Sequence, residues 1–390
     1  MKILDISEFY SERGGSVSRY TDQKFRAAAR RGIELVVIAP GQEDHVDERE
    51  GGRIVWIKGP PMPIDPRFHL LIREKAVHTI VDLERPDLLE ASSPWTSGWF
   101  AARYREPIPR AFIFHQDPIA RYPHTAFDRF VERDRLDRFS APYWAYLRRL
   151  SSRFDATIVA SEWLANRLRA FALPFIEPIP FGIEKSRYSP SLRDPELRRA
   201  LLDRAGVLTD AYLFVGVSDH LPDRRLFTLI DAIAEVNARN TLEKPVAFTL
   251  YGDGPLRPLL EQRAKKVEHV TIASLVGEKE VLPSALASAD AFLHGAAAET
   301  FSEVTASALA SALPLVVPSA GGASDFADPA FAERYEPGDF LDCADAIERL
   351  VLRDLDGLRR SALQASRTRV RSVDDHFGEL FTYYTKLLER

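Results

Sequence analysis

The sequence predicts an α/β protein with two domains, each built around a doubly wound parallel sheet. Short apolar segments alternate with amphipathic ones along most of the chain, which is the pattern of repeated βαβ units. The length of 390 residues exceeds that of a typical single domain. A proline-rich stretch, Pro174–Pro190, interrupts the alternation near the middle of the chain and is interpreted as the crossing between the two domains.

In the first half, apolar runs predict strands and amphipathic runs predict helices. The predicted strands are Lys2–Ile6, Glu34–Ala39, Arg53–Ile57, Leu88–Ala91, Arg110–His115 and Ala156–Ala160. The predicted helices are Val17–Arg31, Leu70–Leu83, Ser97–Tyr104, Pro142–Arg153 and Trp163–Phe171. Gly32 is placed to end the first of these helices.

After the crossing, strands and helices resume. The segments are Tyr212–Val217, Leu226–Ala238, Ala247–Gly252, Leu256–Lys266, Val270–Ile272 and Leu282–Ala287. A terminal helix is predicted over Val373–Leu388, because Phe377, Leu380, Tyr384 and Leu387 recur at helical spacing.

Composition narrows the class of protein. The formal net charge is −5 and the pI is about 6.1, whereas a nucleic-acid partner calls for a basic excess. The single cysteine, Cys343, cannot form an internal disulfide, and no charged-then-apolar leader precedes the first strand. We therefore expect a cytoplasmic protein with no nucleic-acid partner. No apolar run approaches the ~20 residues that span a bilayer.

The stretch Glu299–Phe326 is central to the predicted function. An apolar run ending in Ala289–His294 predicts a strand before it, and a loop of small residues, His294–Ala298, then leads to a helix over Ser302–Ala312. Pro314 ends this helix before a second short strand, Leu315–Val317. Glu299 thus lies at a strand-to-helix turn, where open α/β sheets bind ligands because backbone amides and the helix dipole point outward.

Two glycine-containing turns are further candidates. Gly14 and Gly15 follow the first strand and precede the first helix, where a diphosphate can contact backbone amides. Gly252 ends another strand and begins the turn Gly252-Asp253-Gly254-Pro255. For Asp253, a purely structural tight turn is the simpler interpretation.

Several motifs in a fixed order resemble a known enzyme family. They are GGSVSRY at 14–20, PFGIEKSRYSP at 180–190, FVG at 214–216, YGDGPLRPLLE at 251–261 and ADAFLHGAAAETFSEV at 289–304, followed by the pair Gly321-Gly322. This order resembles the GT-B glycosyltransferases of family 4, which are retaining and use nucleotide sugars. The resemblance covers nearly the whole chain and is strongest in its second half.

The resemblance implies the GT-B fold, in which two Rossmann-like domains face each other across a cleft. It implies an acceptor-side domain over residues 1–184, a nucleotide-sugar-binding domain over 185–370, and a terminal helix over 371–390 that packs back on the first domain. The implied donor is a UDP- or GDP-linked hexose. No other cofactor is expected.

Individual site residues follow from the same resemblance. Glu299 matches the acid that hydrogen-bonds the transferred sugar, and His115 matches a first-domain histidine near that sugar. We treat these two residues as the catalytic candidates. The candidate donor-binding residues are Gly14, Gly15, Arg224, Arg225, Gly252, Thr300, Phe301, Ser302, Glu303 and Ser307, with the amides of residues 300–302 reaching sugar hydroxyls or phosphate oxygens.

The sequence departs from the family pattern at two positions. Ser307 stands where the family usually has a second glutamate that binds ribose, and a hydroxyl lacks the grip of a carboxylate. Glu303, one helical turn earlier, either replaces it or is a solvated acid near the helix N-terminus. Val217 stands in place of a phosphate-binding arginine, which leaves Arg224, with Arg225 beside it, as the cation expected to bind the diphosphate.

Retaining transfer breaks the bond between the anomeric carbon and phosphate through an oxocarbenium-like state, so positioning and electrostatics dominate. In this family the leaving phosphate is usually described as taking the acceptor proton. No Asp-x-Asp pair with nearby histidines occurs at a strand end, so the sequence indicates metal-independent transfer.

The acceptor is a lipid, a glycan or a small molecule, and Trp95 and Asp117 are the acceptor-side candidates. Family relatives often act at the inner membrane face, which suggests peripheral membrane contact. The segment Ile119–Phe139 combines arginines with aromatic residues and could lie on a membrane, but its acids nearly cancel its charge. A solvated mixed-charge face with the aromatics in the core is the more ordinary interpretation.

Three functions therefore compete. The favoured one is a glycosyltransferase of the hexosyl-transferring type. The second is a degenerate relative that binds a nucleotide sugar or a partner without turnover, as Val217 and Ser307 suggest. The third is a GT-B sugar-nucleotide epimerase or phosphorylase. The sequence indicates neither the sugar, the nucleotide nor the oligomeric state.

Overall fold

The computed structural model describes residues 1–11, 14–63, 65, 68–208, 210–274 and 281–389. The chain folds into two compact units. The first comprises Met1–His115, Arg138–Pro180 and Val373–Arg390, and the second comprises Gln116–Asp137 and Phe181–Ser372.

The strands of the described residues are β1 Lys2–Ile6, β2 Glu34–Gly41, β3 His45–Arg49, β4 Gly52–Lys58, β5 Leu88–Ala91, β6 Arg110–Phe114, β7 Ala156–Val159, β8 Ile176–Pro178, β9 Tyr212–Val217, β10 Val246–Tyr251, β11 Val270–Ala273, β12 Ala291–Leu293, β13 Leu315–Pro318 and β14 Ala332–Tyr335.

The helices of the described residues are α1 Ser16–Ala29, α2 Glu74–Glu84, α3 Thr96–Arg103, α4 Thr125–Phe127, α5 Arg133–Phe139, α6 Ala141–Ser151, α7 Glu162–Ala170, α8 Pro195–Arg204, α9 Leu226–Arg239, α10 Arg257–Ala264, α11 Leu282–Ser288, α12 Glu303–Ala310, α13 Phe340–Val351, α14 Leu355–Arg369 and α15 Val373–Leu388.

The first unit is built around a sheet of order β3-β4-β2-β1-β5-β6-β7-β8. All neighbouring strands are parallel except β3, which pairs antiparallel with β4. The antiparallel strand β3 was not predicted, because its charged sequence HVDER has no apolar run. The edge strand β8 lies inside the proline-rich stretch Pro174–Pro190, which was predicted only as a crossing between domains.

The second unit has an all-parallel sheet of order β11-β10-β9-β12-β13-β14. Helices cover both faces of it, so its strands are apolar on both sides. In β9, Leu213 and Val215 belong to one buried cluster, whereas Phe214 belongs to another on the opposite face. The helices α8, α13 and α14 and the strand β14 had not been predicted.

The terminal helix α15 matches its predicted bounds, and its apolar face is buried in the first unit. Phe377, Leu380, Tyr384 and Leu387 are all buried. The ring of Phe377 packs against Tyr20 of α1, with a centroid distance of 5.2 Å. The predicted apolar face of this helix is confirmed.

The segment Gln116–Asp137 groups with the second unit, although the sequence division placed it in the first domain. Ion pairs hold it there. Asp128 lies 2.6 Å from Arg225, and Arg121 lies 3.4 Å from Asp223. Arg133 lies 3.2 Å from Glu336.

Candidate active site

Arg224 and Glu299 lie in loops that follow neighbouring strands of the second unit. Arg224 ends a short 3₁₀ turn after β9, and Glu299 lies in the loop after β12, which pairs with β9. Gly295 lets the two loops approach, because a Cβ at this position would lie 2.4 Å from the carbonyl oxygen of Arg224. Both side chains therefore meet at the carboxyl edge of the sheet.

The carboxylate of Glu299 is shared between two partners. Its Oε1 pairs with Nη1 of Arg224, and its Oε2 lies 3.0 Å from Nε2 of His294. The Glu299 side chain is 17% exposed and that of His294 is 2% exposed. Burial alone would raise the pKa of Glu299, but the charges of Arg224 and His294, together with hydrogen bonds from His294 and Ser302, lower it to about 2. Glu299 is thus ionised across the physiological range.

His294 was not among the predicted site residues, although it ends the predicted strand before Glu299. Its backbone is fixed on both sides, because its N–H donates to Val316 (3.0 Å) and its carbonyl accepts from the Tyr335 hydroxyl (2.6 Å). The sequence signal for His294 is its position directly after a buried strand and five residues before Glu299. Its role depends on its distance from the Glu299 carboxylate, which the sequence does not give.

The N-terminus of α12 follows Glu299 and has no side-chain cap. Ser302, the residue at the cap position, instead makes a 2.8 Å hydrogen bond to the Thr305 hydroxyl and lies 3.5 Å from His294 Nε2. Arg224 also has a buried Nε with no hydrogen-bond partner among the described residues. An uncapped helix N-terminus beside an arginine is an arrangement that binds anions.

The paired glycines after β13 hold the Glu299 loop in place. The N–H of Gly322 donates to the carbonyl of Glu299 (2.7 Å). A Cβ at Gly322 would lie 2.8 Å from the Thr300 carbonyl, and one at Gly321 would lie 2.8 Å from Ala297. These positions need glycine because two backbone segments touch.

In the first unit, the predicted residues follow the carboxyl ends of β1, β5 and β6. Gly14 (φ 85°) and Gly15 (φ 133°) are exposed at the start of α1. Apart from the chain neighbours of each, no atom of the described residues would lie within 4 Å of an added Cβ. His115 follows β6, and its ring packs edge-on against Tyr20 at 5.2 Å. Burial lowers the pKa of His115 to about 4, so the ring is neutral at pH 7.

The sequence profile of Glycosyltransferase Family 4 matches residues 14–187, and that of Glycosyl transferases group 1 matches residues 209–353. The chain is a family 4 glycosyltransferase with the GT-B fold.

Similar proteins support this assignment. A GDP-mannose-dependent alpha-mannosyltransferase of Mycolicibacterium smegmatis is 25% identical over 354 residues, covering 88% of this chain and 86% of its own. The sulfoquinovosyl transferase of Arabidopsis thaliana is 25% identical, covering 82% of this chain and 60% of its own.

Among solved structures, sucrose-phosphate synthase of Thermosynechococcus elongatus has a TM-score of 0.75 at 16% identity, with 100% of both chains covered. Anabaena HepE in complex with UDP and glucose has a TM-score of 0.69 at 16% identity, with 99% of both chains covered. These structures support the fold.

In this glycosyltransferase, Ser307 stands where the family usually has a ribose-binding glutamate, and its hydroxyl is hydrogen-bonded within its own helix. Ser307 is buried, and its hydroxyl donates to the carbonyl of Glu303 in its own helix (2.9 Å). Glu303 is exposed in the first turn of α12. The ring of Phe301 packs between Phe181 and Phe326. A donor-binding role for Phe301 would therefore involve its backbone.

Arg225 turns away from Arg224. Its backbone is left-handed (φ 51°), and its guanidinium makes the 2.6 Å ion pair with Asp128. The side chains of Arg225 and Asp128 are only 11% and 6% exposed. The structure thus brings Arg224 and Glu299 together but gives Arg225 a different partner.

Gly252 is required by the backbone geometry of its turn. Its φ is 151°, and a Cβ there would lie 1.8 Å from the Ser218 carbonyl oxygen. Asp253 is exposed and accepts from the N–H of Gly254 (2.7 Å), as in a tight turn. These contacts fit the structural interpretation of this turn.

The two acceptor-side candidates occupy different units. Trp95 in the first unit is 45% exposed, and its ring lies 6.4 Å from that of Tyr146 in a stacked orientation. Asp117 in the second unit is buried, and its carboxylate accepts from the N–H groups of Ile119 (2.9 Å) and Ala120 (3.1 Å). Trp95 is available to a ligand, whereas Asp117 stabilises a turn.

The aromatic residues of the mixed-charge segment are not in the core. Tyr122, Phe127, Phe130 and Phe139 are all exposed, so the more ordinary interpretation of this segment was wrong. The Arg129 guanidinium lies over the ring of Phe130 at 4.5 Å. Alternating charge does not by itself decide which way aromatic side chains point.

Among the described residues, no helix is both long and apolar enough to cross a bilayer. The same part of the chain contains no group of three His, Cys, Asp or Glu side chains arranged to hold a metal ion. Metal independence stays a prediction.

Proposed function

We propose that this glycosyltransferase is a retaining enzyme that moves a hexose from a nucleotide-diphosphate sugar to a hydroxyl of a lipid, glycan or small-molecule acceptor, without a metal ion. The observation that carries the proposal is the placement of Glu299 between Arg224 and His294, directly before an uncapped helix N-terminus.

Arg224 and the first turn of α12 are proposed to bind the diphosphate. Arg224 keeps one buried N–H without a hydrogen-bond partner in the described part of the chain, and a guanidinium binds phosphate oxygens well. The helix dipole adds positive potential at the same place. Leaving-group charge would therefore develop against fixed donors, which lowers the barrier to bond cleavage.

Glu299 is proposed to accept a hydrogen bond from a hydroxyl of the transferred sugar. Because its pKa is about 2, it is a carboxylate at neutral pH and cannot donate a proton to the leaving group. His294 and Arg224 fix the orientation of both oxygens. The proton of the acceptor would go to the leaving phosphate, in front-face attack that retains the anomeric configuration.

For the first unit, the proposal assigns Gly14 and Gly15 to the diphosphate, His115 to the donor sugar and Trp95 to the acceptor. A neutral His115 can exchange hydrogen bonds with sugar hydroxyls. An exposed tryptophan ring offers an apolar face to an acceptor.

GDP-mannose is the first donor to test, because several curated relatives are named GDP-mannose-dependent mannosyltransferases. HepE was solved with UDP-glucose, so UDP-sugars belong in the same panel. We further propose peripheral contact with the cytoplasmic membrane face. The exposed Tyr122, Phe127 and Phe130 with Arg129 support it, since aromatic rings and arginines favour the membrane interface.

The test is a donor panel of UDP- and GDP-sugars incubated with a lipid extract and with simple glycosides, in the presence of EDTA. We expect nucleotide diphosphate release and a product whose anomeric configuration, determined by NMR, matches that of the donor. Inverted configuration would contradict the retaining mechanism, and activity only with added divalent cation would contradict metal independence.

A second candidate is a protein that binds the nucleotide sugar without turnover. The buried Val217 and the inward hydrogen bond of Ser307 favour it, because both positions lack the charged group of the family pattern. Saturable binding of a donor by calorimetry, with no sugar release across the panel, would support this candidate against the enzyme.

A further inference from the structure

A cavity of 550 Å³ lies in the first unit, at the edge of its sheet opposite the predicted site residues. Its wall includes Arg110, the first residue of β6, and Asp155 and Phe175, which directly precede β7 and β8. His115 lies beyond the other end of β6. Because β6 has 5 residues, the two ends are roughly 16 Å apart.

Two arginines contribute unpaired positive charge to this cavity. Arg110 donates from Nη2 to the carbonyls of Tyr104 (2.7 Å) and Glu106 (3.0 Å), and its buried Nε has no hydrogen-bond partner in the described part of the chain. Arg153 is exposed, and within the described residues its guanidinium has no ion pair.

Asp155, the acid beside these arginines, hydrogen-bonds to the backbone and does not neutralise their charge. Asp155 accepts from the backbone N–H of Arg110 (2.8 Å) and forms no ion pair with either guanidinium. Burial is the main cause that lowers the pKa of Arg110, and the charge of Arg153 lowers it further, although Asp155 opposes both. An unsatisfied buried donor in an arginine pair needs an explanation, and an anionic ligand supplies one.

Phe175 gives the cavity a strained aromatic rim. Its φ of 54° is left-handed, which a bulky side chain rarely adopts, and its side chain is 62% exposed. The carbonyl of Phe175 accepts from Thr157 N–H (2.8 Å), which fixes the backbone. Backbone strain of this kind concentrates at ligand-binding segments. Pro109 and Leu387 add apolar surface to the same wall.

We propose that this cavity binds a small phosphate monoester with an aromatic body, the phosphate on Arg110 and Arg153 and the ring against Phe175. The volume fits a ligand of this size. The cavity is distinct from the proposed donor site. Its residues lie at the amino ends of the first-unit strands, whereas Gly14, Gly15 and His115 follow the carboxyl ends.

Phenyl phosphate is the probe, titrated by calorimetry into the full chain saturated with GDP and UDP so that the proposed donor site is occupied. We expect saturable binding, and no saturable binding of phenol. Arg153→Ala should weaken binding about tenfold or more, as expected for loss of a charge-assisted contact. Arg149→Ala, which removes an exposed arginine outside the cavity, is the matched control and should bind like the wild type.

Phe175→Gly is a second variant, chosen because the substitution should not destabilise the fold. Glycine adopts positive φ without strain, so the melting temperature should stay equal or rise while phenyl phosphate binding weakens. Absence of saturable binding to the wild type would overturn the proposal. So would equal affinities for the wild type, Arg153→Ala and Phe175→Gly.

Discussion

The Oε2 atom of Glu299 lies 3.0 Å from Nε2 of His294, while Oε1 of the same carboxylate pairs with Arg224. One acid is thus oriented by two side chains from different loops, both at the carboxyl edge of the second sheet. A sugar hydroxyl bound by Glu299 and a phosphate bound by Arg224 would be placed relative to each other by this pairing.

Replacing Glu299 with glutamine should lower kcat about 10²–10³-fold, as loss of one preorganised electrostatic contact does. The amide keeps the shape of the side chain but lacks the negative charge that interacts with Arg224 and His294. The measurement is the initial rate of donor-sugar transfer, with circular dichroism to confirm folding. Glu196→Gln, an exposed acid on α8, is the matched control. An unchanged rate in Glu299→Gln would remove this residue from the mechanism.

Replacing His294 with alanine should change the pH dependence of the reaction. His294 helps to hold the pKa of Glu299 at about 2, so its removal should raise that pKa and let Glu299 protonate as the pH falls. The acidic limb of the kcat/KM profile should move to higher pH. His294→Asn, which can still donate a hydrogen bond, should restore part of the rate.

His45→Ala serves as the control for this pair of variants, since His45 lies in the first unit and stacks on Trp56. Its pH profile should match that of the wild type. If the acidic limb of His294→Ala also stays in place, the histidine has no part in setting the charge of Glu299.

The central βαβ unit could be predicted from sequence because strands buried on both faces are short apolar runs between helices. Glu299 could be named as a candidate for the same reason, since its position at a strand-to-helix turn is visible in that pattern. The contact with His294 could not be found, because it depends on how the single loop between β12 and α12 folds back on itself. Likewise, the sequence does not distinguish Arg224 from Arg225. In the structure, Arg225 has a left-handed backbone and its side chain pairs with Asp128.

The pair of Arg225 and Asp128 gives a prediction that separates stability from donor binding. Both side chains are almost buried, so Arg225→Ala should lower the free energy of unfolding. The loss should be about 1.5–3 kcal/mol, because Asp128 keeps its ion pair with Arg133 at 3.1 Å. Asp128→Ala should have a similar effect, and a double-mutant cycle in urea should show coupling.

Arg224→Ala is the comparison for donor binding. It should raise the donor KM about tenfold or more through loss of a charged phosphate contact. A larger rise of donor KM in Arg225→Ala than in Arg224→Ala would instead show that Arg225 is the main diphosphate ligand, as its position beside Arg224 first suggested.

Lys24 of α1 lies completely buried with Glu90 of β5, and Lys24 Nζ is 3.6 Å from Asp5. The hydroxyl of Tyr384 in α15 donates to Glu90 at 2.5 Å, so the cluster also holds the terminal helix. Removing the lysine leaves buried carboxylates without their cation. Lys24→Met should therefore lower the free energy of unfolding by about 3–5 kcal/mol, and Tyr384→Phe by about 1.5–3 kcal/mol.

The loss in Lys24→Met should depend on pH. Burial raises the pKa of Glu90, and Lys24 opposes that rise, so the variant should have a still higher pKa in the folded state. A carboxyl that binds its proton more tightly when folded favours the folded state at low pH and destabilises it as pH rises. The difference in melting temperature from the wild type should thus be larger at pH 8 than at pH 5. A difference independent of pH would mean that lost packing of the lysine stem, and not the unpaired carboxylate, causes the destabilisation.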